Sequence, residues 1–123
     1  MGYSVNYLSD KNIINIKVEG KLNFGMAEKY SKEALKEARE NECANYLLDH
    51  SKTETKGGIN KLHASGDELQ QFGFKNTDRI AIIITNSGKD DDLLDPVSQN
   101  SRWSKLKYFF TNDMEKAIEW LNN

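Results

Sequence analysis

The chain has 123 residues, 37% of them hydrophobic and 29% charged, a balance that excludes intrinsic disorder and allows one domain with a real core. Lys and Arg number 17 against 19 Asp and Glu, a formal charge of -2, so neither the net field nor any basic cluster argues for nucleic acid. A single cysteine, Cys43, excludes an internal disulfide, and no apolar run approaches the ~20 residues that cross a bilayer.

Residues 3–8 alternate as a strand, 9–12 are turn formers, and Ile14, Ile16 and Val18 then share one face of a second strand closed by Gly20. Two such runs around a short polar loop predict an antiparallel hairpin. Asn23 is placed to cap a helix over 24–42, with Phe24, Ala27, Ala34, Leu35 and Ala38 as its apolar stripe and Tyr30 at the margin. Residues 44–49 read as the third strand and 50–58 as a polar loop. A helical segment through Phe72 follows, and whether it is one helix or two is left open by Gly66 and the capping spacing Ser65-Gly66-Asp67-Glu68.

The run Arg79-Ile80-Ala81-Ile82-Ile83-Ile84-Thr85 organises the rest. Turn formers bound it, and no polar residue interrupts Ile80 to Ile84, so both of its faces must be covered, as in a central parallel strand. A helix to about 103 and a last strand over 106–110 come next. The chain closes on a helix capped by Asn112 and Asp113, with Met114, Ala117, Ile118 and Leu121 on one face. The expected fold is α/β, a single mixed, mostly parallel sheet in the order β-β-α-β-α-β-α-β-α, filling 1–123 as one domain. With no signal-peptide or myristoylation pattern at its start, the chain is expected to be cytoplasmic.

Leu47-Leu48-Asp49-His50-Ser51, the central run from Arg79 to Ile83, and Tyr108-Phe109-Phe110 followed by Glu115-Lys116-Ala117-Ile118-Glu119-Trp120-Leu121 carry a family resemblance. Together they resemble the SpoIIAA-like group of STAS-type domains, the fold of bacterial anti-sigma-factor antagonists. The resemblance implies a regulatory module without catalytic residues, cofactor or metal, docking a protein partner and switched by phosphorylation after the third strand. In signalling members that loop carries an Asp-Ser-Ser-Gly segment. Here the positions read Glu54-Thr55-Lys56-Gly57, which leaves Thr55 as the hydroxyl. The grouping with SEC14-type domains implies an alternative, a carrier of a small apolar ligand or lipid, with the aromatic C-terminal third lining a pocket.

Residue chemistry offers rivals that fail on geometry. Asp49-His50-Ser51 has the residue types of a hydrolytic triad, but strand neighbours point to opposite faces and cannot converge. Asp91-Asp92-Leu93-Leu94-Asp95 matches a magnesium motif of prenyl-chain enzymes, yet the second acidic helix that motif needs is missing. His50 and His63 lack partners at zinc-ligand spacing. In open α/β sheets ligands bind beyond the carboxyl ends of the strands, here Asp49, Ser51, Thr85 and Asn86. Gly57 and Gly58 would lead into a helix start that attracts anions, near enough to hold a phosphate on Thr55 or Thr53. A homodimer through an edge strand or an apolar helix face is compatible with the pattern.

Overall fold

Five strands form one sheet in sequential order in the computed structural model of the protein, which describes residues 2–20, 23–53, 66–75, 78–84 and 106–122. β1 (Gly2–Leu8) runs antiparallel to β2 (Ile13–Gly20), and β3 (Asn45–Thr53), β4 (Arg79–Ile84) and β5 (Leu106–Phe110) follow in parallel. The described helices are α1 (Phe24–Glu40), α2 (Gly66–Phe72) and α3 (Met114–Asn122). The mixed α/β class and the hairpin are as expected. The helix expected to end near 103 lies outside the described residues, as does the segment 59–65.

The central run behaves as its composition demands. Ile80, Ile82 and Ile84 face a cluster with Tyr30, Ala34, Leu69 and Phe72, on the side covered by α1 and α2. Ala81 and Ile83 face Ala117 and Leu121 of α3 on the other side. Burial on both faces removes any advantage of alternation, which is why the run is continuously apolar.

α1 begins where Asn23 accepts a hydrogen bond from the Met26 N–H at 2.8 Å, and it stops at Glu40, two residues short of the expectation. Glu42 takes φ +51, and the Cys43 N–H reaches back to the Ala38 carbonyl at 2.9 Å, closing the helix with a left-handed turn. Its buried stripe differs too. Tyr30 lies inside it at 1% exposure, whereas Phe24 is 41% exposed with its ring 5.2 Å from that of Phe72. α2 ends in the same way, with Phe74 N–H on the Leu69 carbonyl and Gly73 N–H on that of Gln70, both at 3.1 Å. Gly73 has φ +120, which only glycine takes without strain.

Two expected boundaries are corrected. β3 does not stop at Asp49 but runs to Thr53, because Lys52 and Thr53 pair with Glu19 and Gly20 of β2. Between Lys17 and Glu19 the register slips by one extra residue on β3, a bulge that lets a polar stretch stay in the sheet. At the other end, Asn112 and Asp113 are not a side-chain cap. They belong to a 3-10 turn, Thr111–Asp113, that leads into α3 without a capping hydrogen bond from its N-cap residue Phe110. Thr111 Oγ1 instead donates to the Ile84 carbonyl at 3.1 Å, tying this turn to β4.

Candidate functional site

At the carboxyl end of β3 the side chains separate as alternation requires. His50 is fully buried toward α1, its ring 6.5 Å from that of Tyr30, while Asp49 shares the opposite face with Leu47. Asp49 Oδ1 accepts from the Ser51 N–H at 2.9 Å and so shapes the bulge. The three side chains of Asp49, His50 and Ser51 therefore form no triad. Asp49 and Ser51 do meet, in a small cleft of about 70 Å³ with Lys17, Glu19 and Lys52.

Thr53 is not a loop hydroxyl. It is buried, its Oγ1 donates to the Val18 carbonyl at 2.8 Å and lies 2.9 Å from His50 Nδ1. A hydroxyl has one proton, and Thr53 has spent it on Val18. His50 Nδ1 must then be the donor to Thr53, which leaves Nε2 as a bare acceptor. That atom is buried without a hydrogen-bond partner among the described residues. Burial pushes the imidazole pKa down to about 4, against a smaller opposing pull from Asp49. Thr55, Gly57, Gly58, Thr85 and Asn86 lie outside the described residues.

A larger opening lies at the other end of the strands, between the last turns of α1 and the end of α2. This groove has a volume of about 690 Å³, with Leu35, Ala38, Tyr46 and Phe72 among its apolar walls and Lys32, Arg39 and Lys75 among its charged ones. None of the three cations forms an ion pair among the described residues. Two acids also line it, Glu42 and Asp78. Asp78 is buried and accepts from the Lys75 N–H at 2.9 Å, which commits it to the turn into β4. Tyr46, held against Phe74 with ring centroids 4.9 Å apart, has its hydroxyl pKa raised by burial and by the charge of Asp78. Cys43 is buried at the wall, with Sγ donating to the Asn12 carbonyl at 3.2 Å, and burial likewise raises its thiol pKa.

No family model matches the chain, and no curated protein matches it.

Sequence reasoning missed this groove. Its one local signal was the spacing Lys32, Leu35, Arg39, which lies on a single face of α1, but the opposing wall comes from residues more than thirty positions away. The described aromatic residues of the C-terminal third pack against the two cores. Tyr108 joins the core under α1 and α2, and Phe109 joins the core under α3. Trp120 packs 5.9 Å from Phe109, with the Arg79 guanidinium 5.7 Å from its ring and bonded to its carbonyl at 2.6 Å. Trp103 lies outside the described residues. Among the described residues no helix is long and apolar enough to cross a membrane.

Proposed function

We propose that this protein is a regulatory protein-interaction module of the STAS-like kind, not an enzyme, and that it docks a partner beside α2. The observation that carries the reading is the α1–α2 groove, where three cations without an ion pair among the described residues stand beside apolar walls. Such a surface offers contact area and orientation without assembling a nucleophile, a base and an oxyanion site. The groove adjoins α2, the helix that follows the loop to which the resemblance assigns the switch. Thr55 is the hydroxyl to test as that switch, since the hydroxyl of Thr53 is committed inside the sheet.

Affinity capture with the full chain, comparing wild type with a Lys32→Glu/Lys75→Glu variant, tests the reading. A partner recovered by the wild type, lost by a folded variant and cross-linked to α1 or α2 is the expected result. Capture that ignores the variant, with cross-links elsewhere, would sink it. Phosphosite mapping of the host protein tests the switch separately.

The apolar floor also favours a second reading, a carrier of a small apolar ligand. Native mass spectrometry of protein from its own host separates the two, because a retained ligand adds mass that organic solvent releases.

A further inference from the structure

From the groove we infer the chemistry of the partner segment: a short acidic peptide whose apolar side chains seat on Leu35, over the buried rings of Tyr46 and Phe72, while its carboxylates meet Lys32, Arg39 and Lys75. The inference rests on the docking reading and goes further by stating what docks. Three observations carry it. The first is the charge arrangement: three groove cations lack ion pairs among the described residues, and of the two acids present Asp78 is buried against the backbone of its own turn. An incoming carboxylate meets three cations against one exposed acid, Glu42, and a net positive rim of this kind selects acidic partners and speeds encounter.

The second is shape. A groove of about 690 Å³ accepts a few side chains of a peptide without rearrangement of the core. The third is rigidity. Both helix ends that frame it are locked by left-handed closing turns, at Glu42 and at Gly73, and a Cβ added to Gly73 would come within 2.9 Å of Leu35 Cδ1. The α2 end is thus pressed against α1, and a preformed groove loses less entropy on binding than one that must assemble.

The test uses the full chain, labelled with ¹⁵N, and two blocked peptides with a common Leu-Trp-Leu-Phe core. One is flanked by two aspartates at each end, the other by two lysines. The expected result is saturable binding of the aspartate peptide, with amide shifts concentrated at Leu35, Tyr46 and Phe72. Its affinity should fall about tenfold in Arg39→Glu, and weaken as salt rises. Arg39 lies in the last turn of α1, where charge reversal also opposes the helix dipole. Lys75→Glu, beyond α2, is therefore measured beside it and should weaken binding in the same direction. Equal binding of both peptides at the groove overturns the acidic inference and leaves the docking reading standing. Binding of neither peptide overturns the inference, and the capture experiment then judges the docking reading alone. Sodium decanoate is the third probe. If it alone occupies the groove, the peptide inference fails and the carrier reading replaces docking.

Discussion

The ring of His50 is closed off from water at the end of β3, donating through Nδ1 to Thr53 and presenting Nε2 to an interior without a partner among the described residues. Protonation would place a charge there, so the folded pKa falls to about 4, below the unfolded value of about 6.5. Between these values the unfolded chain binds a proton that the folded chain does not. Stability therefore falls as pH drops from about 6.5 towards 4, and this contribution levels off below. The whole effect is about 3 kcal/mol. Urea denaturation of wild type and His50→Phe at pH 7 and pH 4.5 checks it: the variant should lose less stability on acidification. Thr53→Val should strand both the Val18 carbonyl and the His50 N–H, at a cost of about 2 kcal/mol or more. Thr53→Ser keeps both hydrogen bonds and should stay much closer to wild type in the same assay.

At the scale of elements, caps and turns decide where α1 and α2 stop, and so where the groove opens. Asn23→Ala removes the bond to the Met26 N–H and should cost about 1 kcal/mol in thermal or urea unfolding. Gly73→Ala is predicted to cost more than about 1 kcal/mol, because φ +120 disfavours a side chain and the new Cβ meets Leu35 at 2.9 Å. The two causes separate in a double-mutant cycle. In a Leu35→Ala background the steric part disappears and only the backbone strain remains, so the measured penalty should shrink. No coupling between the two sites would mean that α2 does not press on α1.

For the molecule as a whole, the sheet should be most resistant to opening at its centre. β3 and β4 are paired on both sides, while β1 is paired only with β2 among the described strands. Native-state hydrogen exchange should therefore find the slowest amides in Ile80 to Ile84 and Tyr46 to Leu48, and faster ones in β1. Ile82, fully buried on the α1–α2 side, should lose about 2–5 kcal/mol on truncation to alanine. The equivalent change at Val5, partly buried on the edge strand, should cost less. Exchange that is slowest in β1 would contradict a fold built outward from β4.

The strands, the hairpin, the N-cap of α1 and the interior place of β4, covered on both faces, were legible in the sequence, because each rests on periodicity, β-branching or turn residues within a few positions. Ile80 to Ile84 could be covered on both faces in only one kind of position. The path of β3 beyond Asp49 was not legible. His50-Ser51-Lys52-Thr53 is polar by composition, and it becomes strand through hydrogen bonds offered by β2, thirty and more residues earlier, together with a bulge that no local pattern announces. By helical spacing Tyr30 falls at the margin of its apolar stripe, whereas its ring packs against those of Tyr3 and His50. The groove was the least legible feature. Lys32 and Arg39 are ordinary surface charges until the end of α2 stands opposite them, and that placement is decided by packing across the sheet rather than by neighbours in the chain.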